Sequence, residues 1–442
     1  MLAKNTNLIF ALINLMAVVV VFTGWWPVPG SYFLLEPALF CSMAILCLLM
    51  LTVSEVRINR LSLVAYAAFA AWVVLSDALS GEFLPALARD VHWLILPLLV
   101  VLYKPLFARS EEALKVLQVA VVVSLIVIAY RLIDGADAVF NWVRLPIFGN
   151  IRRLAMTAGL MSVFLYFDAG YRQREKWLLV LARVVGLSLL FWSGSRGAIL
   201  GWMLALVVFI RLTGQWSRWR GWSLEVGAAI ALSILFDVGN PSMGFLGVFL
   251  RSWSKAVATG TVDGLSSGRI SLWLKTLEML QESGNTLFGA GGNGFVRLHL
   301  MFDQIFHPHN IVLQIASDWG VGGLLLLLWL VRQGIPLRSD LKSAKTSRTG
   351  LGFALMVFLL VTGMLDGGLY HLQYLFFAAI AFALIAVPAH DGEYAGGRIV
   401  APRLGIVALL FAAIFLHWMV RDYRVEWPTT PPSQRYVAPH HD

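Results

Sequence analysis

Three short stretches of this chain set anion-binding or proton-accepting side chains at the start of an apolar or amphipathic run. They are Ser193-Gly194-Ser195-Arg196-Gly197, Ser266-Ser267-Gly268-Arg269 and His307-Pro308-His309-Asn310. Serine ahead of a helix reads as an N-cap, and Pro308 suits a first helical position. Arginine in a first turn runs against the helix dipole, which favours negative charge there. A bound anion removes the conflict, because free N–H groups and a guanidinium then face the same phosphate. A single interfacial arginine can be explained as a lipid-headgroup anchor. Arg196 and Arg269, each behind a Ser/Gly cap, point instead to one anionic ligand held through bidentate forks.

His309 is suited to take a proton from a hydroxyl, since imidazole titrates near neutral pH, although a histidine at a helix start can also serve as a simple interfacial hydrogen-bonder. His307 would allow a metal pair, but His-x-His without a carboxylate cluster or an Asp-x-Asp pattern is a thin ligand set. A metal-independent site with no cofactor is expected. Asn310, His307, Arg152, Arg153, Gly291 and Gly294 complete the candidate substrate-binding set. The run Gly289-Ala290-Gly291-Gly292-Asn293-Gly294 fits the dinucleotide fingerprint by letter only, because it opens no βαβ unit. It reads as a turn that brings backbone close to substrate or to another helix, packed down by Phe295.

The elements that must position these residues are set by composition. Of the 442 residues, 59% are hydrophobic and 13% charged, with a mean hydropathy of +0.76. That leaves too little polar surface for a soluble protein and excludes disorder, coiled coil and a disulfide scaffold. Cys41 and Cys47 share one apolar run and carry no redox information. Windows close to the ~20 residues that cross a bilayer recur at Leu8–Trp26, Tyr32–Val53, Leu61–Leu79, Val91–Phe107, Val116–Ile133, Leu154–Gly170, Trp177–Trp192, Gly197–Leu212, Trp222–Val238, Asn310–Val331, Leu351–Leu365, Leu372–Pro388 and Leu404–Val420. The fold class is all-α, a polytopic transmembrane bundle of twelve or thirteen spans, with the first span read as an anchor and not a removed signal peptide.

Placing Lys4 inside puts Arg57/Arg60, Lys104/Arg109/Lys115, Arg172/Arg174/Lys176, Arg211/Arg218/Arg220 and the cluster from Arg332 to Arg348 on the same side, as the positive-inside rule requires. The net charge of +9 is thus largely topology, and no nucleic acid partner is implied. The opposite face carries Arg89, Arg131, Arg144, Arg152, Arg153, Arg196, Arg251, Arg269 and Arg297 with few lysines. Such a face suggests an anionic substrate outside.

Four units follow: a bundle over 1–239, an external loop over 240–309, further spans over 310–420 and a polar tail over 421–442. In the loop, Ile270, Trp273, Leu274, Leu277 and Leu280 recur at helical spacing, marking an amphipathic helix on the bilayer or bundle surface. Charges within spans include Glu36, Asp77, Arg183, Glu225, Asp237 and Asp366. Arg183 is deepest, so an internal pair with a carboxylate is expected. Asp366 marks an external turn that could line the site. No two-halves repeat of the transporter kind is evident.

At these residues the chain resembles the O-antigen ligase and polymerase superfamily of bacterial envelope glycosyltransferases. The resemblance rests on Arg-x3-Leu from Arg196 to Leu200, on His309-Asn310 followed by Gly320 and Gly323, on the Ser-Gly-Arg269 helix and on the Gly-rich turn ending in Phe295. Where ligase descriptions continue with Thr-Thr, this chain has Leu324-Leu325. The resemblance implies a multi-pass protein of the Gram-negative inner membrane with a periplasmic active site. The implied donor is an undecaprenyl-pyrophosphate-linked glycan and the implied acceptor is lipid A-core, among membrane lipids. Arg196 and Arg269 would hold the pyrophosphate and His309 would act as general base in an inverting transfer. An O-antigen polymerase or protein O-oligosaccharyltransferase of the same superfamily would use the same residues. A lipid-linked glycan flippase would need a charged cavity across the midplane instead.

Overall fold

The computed structural model describes residues 60–109, 111–134, 151–167, 171–235, 268–298, 307–335, 347–370 and 372–386, together with 56–57, 253, 257, 266 and 398–399. The expected spans Leu8–Trp26, Tyr32–Val53 and Leu404–Val420, both cysteines, Glu36, Asp237 and the tail lie outside the described residues.

Twelve helices follow in order among the described residues: α1 (Arg60–Leu79), α2 (Phe83–Arg109), α3 (Glu111–Asp134), α4 (Ile151–Phe164), α5 (Gln173–Ser193), α6 (Arg196–Thr213), α7 (Trp219–Leu235), α8 (Arg269–Glu282), α9 (Gly294–Leu298), α10 (Ile311–Gly334), α11 (Ser347–Asp366) and α12 (Leu372–Ile385). Seven of them (α1, α2, α3, α5, α6, α10 and α11) contain stretches long and apolar enough to cross a membrane. The protein is a polytopic helical membrane bundle. Val56–Arg57 and Arg398–Ile399 add a two-residue antiparallel bridge.

Two elements depart from the apolar windows for physical reasons. α2 begins eight residues before Val91, because the charges Arg89 and Asp90 that truncate the window lie within the helix, and the buried Asp90 carboxylate is satisfied by the indole N–H of Trp319. α4 ends at Phe164, short of Gly170, and every residue from Leu154 to Phe164 is buried. The turn after it leaves the Leu165 carbonyl to accept from Arg183 Nη1 at 2.9 Å. The same guanidinium forks onto Glu225 of α7, with Nε and Nη2 at 2.8 and 2.7 Å from the two carboxylate oxygens, and lies 5.1 Å from the centre of the Tyr166 ring. The expected internal pair of Arg183 is therefore with Glu225, and it ties α4, α5 and α7 together.

Close helix contacts use small residues, as membrane bundles do. Gly201 of α6 rests on the Phe358 carbonyl and Thr362 of α11, and Gly352 of α11 on the Ala381 carbonyl of α12. The alternating helix directions put Arg196, Ser193, Leu79, Ile311 and Asp366 at one end. The opposite end holds Arg348, which bonds the Phe107 carbonyl at 2.9 Å and Glu111 at 2.8 Å.

α10 is broken. Gly320 has φ 67° and ψ −173°, a conformation essentially confined to glycine. The break exposes backbone groups that a continuous helix would bond internally, and the Gly-rich turn supplies their partners. Ala290 and Gly291 N–H donate to the Ser317 and Asp318 carbonyls at 2.8 Å each, while Val321 and Gly322 N–H donate to the Thr286 and Leu287 carbonyls at 2.9 and 3.1 Å. Ser76 Oγ of α1 bonds both Phe288 and Asp318 carbonyls, at 2.6 and 2.9 Å. Trp72 Nε1 donates to the Trp319 carbonyl at 2.9 Å, and its ring stacks on Phe288. Nothing larger than hydrogen fits at Gly320, where a side chain would strike the Leu287 carbonyl.

Candidate functional site

The site is organised around Asp366, the last residue of α11. Its carboxylate is almost wholly enclosed, and Oδ1 accepts from Arg269 Nη2 at 2.5 Å. Oδ2 accepts from Ser195 Oγ at 3.3 Å and fills the space that a side chain at Gly197 would need. Arg196 lies at the same place and feels the charges of Arg269, Asp366 and Arg152. The starts of α6 and α8 thus meet the end of α11, although the three are far apart in sequence.

The caps differ from the simple sequence expectation. Ser195 occupies the N-cap of α6 but forms no side-chain cap, because its hydroxyl turns to Asp366. The N-cap of α8 is Gly268 at φ 81°, and Ser266 Oγ accepts from the Ile270 N–H at 3.4 Å. Pro308 precedes the α10 cap by two residues and is not the first helical residue; its carbonyl accepts from Trp273 Nε1 of α8 at 2.9 Å. Asn310 takes the capping role, with Oδ1 accepting from Val312 and Leu313 N–H at 3.0 and 3.2 Å. Its Oδ1 is thereby engaged by α10, while Nδ2 is not used in the cap.

His309 has φ 54°, a left-handed backbone that costs a non-glycine residue on the order of 1–3 kcal/mol. Its side chain hydrogen-bonds the Asp366 backbone, and Nδ1 is buried without a partner. Burial first, then the Arg152 and Arg269 charges, pull its pKa down to about 4. His307 is pulled down to about 3, chiefly by burial and then by His309, Arg153 and Arg152. Both imidazoles are therefore neutral at physiological pH, and a neutral imidazole has a lone pair available for a proton. Arg152 and Arg153 open α4 beside the two histidines, and Tyr374 of α12 anchors that start by donating to the Arg153 carbonyl at 2.9 Å. A narrow cleft lined by His307, Pro308, Asn310, Ile311, Gln314 and Gly367 runs alongside.

Gly291 and Gly294 belong to another part of the molecule. They sit with Gly292 against Asp318 and Asp77, roughly 10 Å further along α10 at 1.5 Å per residue, where Gly292 N–H donates to Asp77 Oδ1 at 2.9 Å and Gly294 N–H to Asp318 Oδ1 at 2.7 Å. A side chain at Gly292 or Gly294 would strike the carbonyl of Ala86 or Ser317. Of the two sequence expectations for this turn, close approach to another helix is the one realised. Asp90 and Asp318, which bind this region together, escaped the sequence reading. The signal was Asp318-Trp319-Gly320 interrupting an otherwise apolar run. Among the described residues, no group of three or more His, Cys, Asp or Glu has the arrangement of a metal site.

Arginines and a neutral histidine gathered at one end of a membrane bundle, with guanidinium forks and a proton acceptor, can hold a phosphate-bearing leaving group and deprotonate a hydroxyl beside it. No curated protein matches the chain. A family model described as O-antigen ligase matches residues 181–328, about a third of the chain. That segment contains Arg196, Arg269, His309 and Gly320, which breaks α10, so this part of a multi-pass membrane protein is similar to the O-antigen ligase family.

Proposed function

We propose that the protein is an O-antigen ligase, transferring a glycan from undecaprenyl pyrophosphate to a sugar hydroxyl of lipid A-core at the periplasmic face of the Gram-negative inner membrane. The observation that carries this reading is the meeting of Arg269, Arg196 and His309 around Asp366. Asp366 fixes one edge of the Arg269 guanidinium, leaving its other N–H groups to the pyrophosphate. Arg196 grips the same group, and Arg152 and Arg153 add positive charge beside it.

Pyrophosphate esters carry a good leaving group, so the reaction needs stabilisation of the departing charge and removal of one proton. The acceptor oxygen attacks the anomeric carbon from the face opposite the pyrophosphate. As the new C–O bond forms, the bond to the phosphate oxygen breaks and the leaving undecaprenyl pyrophosphate takes the electron pair. The acceptor proton passes to His309. Direct displacement inverts the anomeric centre, and no step requires a nucleotide.

Leu324-Leu325, in place of Thr-Thr after the last motif glycine, keeps one other reading in play, a polymerase whose acceptor is a second carrier-linked glycan. Purified protein supplied with the lipid-linked donor and lipid A-core as sole acceptor decides between them. Formation of lipopolysaccharide with inverted linkage supports the ligase. Product formed only when a second lipid-linked glycan is the acceptor overturns it in favour of the polymerase.

A further inference from the structure

We propose that His307 is a positioning residue for His309, its Nδ1 acting as the acceptor that holds the His309 backbone in the left-handed conformation. The proposal rests on the reading of His309 as general base. Three observations carry it. His307 Nδ1 accepts from the His309 backbone N–H at 3.2 Å, closing a side-chain-to-backbone ring of the kind an Asx-turn makes two residues on. The imidazole of His307 then meets that of His309 edge to face, with centroids 4.1 Å apart and planes at 69°. Finally, His307 is wedged over Gly367, whose missing side chain would lie 2.9 Å from His307 Cε1 and Nδ1.

The intervening Pro308 restricts φ, which favours a fixed geometry between the two histidines. Its carbonyl is held by Trp273 of α8, the helix that begins with Arg269. The His-Pro-His turn is thereby clamped between the donor-gripping helix and the Asp366-Gly367 corner. Because Nδ1 of His307 must present its lone pair to the N–H, its proton sits on Nε2. That arrangement fixes the tautomer of His307 and, through the backbone, the direction in which His309 projects. His307 is given no contact with the reacting atoms.

The test compares His307→Asn, whose side-chain carbonyl can accept the same N–H, with His307→Phe, which keeps the ring but loses the acceptor. Transfer kinetics and donor binding are measured for both in the purified full-length protein, with His309→Ala alongside. The expected result is a kcat loss of roughly ten- to hundredfold for His307→Phe, the scale of a misplaced catalytic group, with donor Kd unchanged. His307→Asn should recover kcat to within about threefold of wild type, a scale small beside that loss. A His307→Phe protein with wild-type kcat, or a His307→Asn protein as impaired as His307→Phe, overturns the positioning role. If His309→Ala also transfers at the wild-type rate, the general-base reading itself falls. An inactive His309→Ala beside a fully active His307→Phe removes the His307 proposal alone.

Discussion

Arg269 Nη2 and Asp366 Oδ1 stand 2.5 Å apart, joining the first residue of α8 to the last residue of α11 across 97 positions of sequence. The carboxylate is 2% exposed and the guanidinium 16%, so solvent screens the pair little. Asp366→Asn is expected to lower kcat/KM for the donor by about tenfold or more, since a buried charge-assisted hydrogen bond contributes roughly 1.5–3 kcal/mol. Asp366→Glu should not restore it, because the carboxylate already occupies the space beside Gly197. Steady-state kinetics with purified protein check both variants. Wild-type kcat/KM in Asp366→Asn would show that the ion pair is structural only.

Lysine at Arg196 or Arg269 keeps the charge but loses the fork that holds two phosphate oxygens at once. Each variant should fold and yet transfer roughly ten- to hundredfold more slowly, the scale of one charge-assisted hydrogen bond. Thermal melting in detergent separates folding from chemistry. Unchanged transfer rates in both lysine proteins would leave headgroup anchoring as the better account of these arginines.

His309→Ala should cost about 10²–10⁴ in transfer rate, the range for loss of a general base, with donor affinity retained. Activity of the wild type should survive chelation, since no step is assigned to a metal. Weak donor binding combined with normal turnover at saturation would make His309 a binding residue.

The pH dependence follows from the neutral state of His309. Burial and the Arg152 and Arg269 charges lower its pKa to about 4, so the base form is already present at neutral pH and is lost only as pH falls through that value. kcat/KM, which reports the free enzyme, should stay flat from neutral pH down to about 5, one pH unit above that pKa. Removing a nearby cation eases protonation, so Arg152→Gln should move the acid limb upward. A wild-type limb near the unperturbed imidazole value would contradict the buried geometry.

Arg183→Met leaves Glu225 buried without its partner, and breaking a buried pair in this way costs on the order of 3–5 kcal/mol. The Arg183→Met/Glu225→Leu double variant should recover most of that stability. Thermal unfolding of the single and double variants measures the difference.

The bundle was legible in the sequence because a membrane demands long apolar runs, and the pairing of Arg183 was legible because a guanidinium so deep must find a carboxylate. Arg196, Arg269 and His309 could be named as candidates from residue type and position at helix starts. What joins them was less visible. Asp366 reads only as a turn residue that could line the site until α11 is packed on α6, and the capping role of the Asn310 Oδ1 shows only once α10 is built. The Gly-rich turn was understood as a close approach, but its partner was hidden because a broken helix has the same hydropathy as a whole one. Only Asp318 and Gly320, placed where an apolar run tolerates neither well, signalled the break.

That break bears on how the protein is made. The carbonyls of Ser317 and Asp318 depend on N–H groups of the preceding Gly-rich turn, and the hydroxyl of Ser76 on α1 completes the junction from 242 residues away. α10 cannot enter the bilayer as a finished cylinder, because part of its backbone needs partners that are not its own. Its insertion is therefore tied to docking of the Gly-rich turn, against a helix synthesised much earlier. Biogenesis thus acquires a checkpoint: a chain whose Gly-rich turn is misplaced retains an incompletely bonded span, which a bilayer interior penalises.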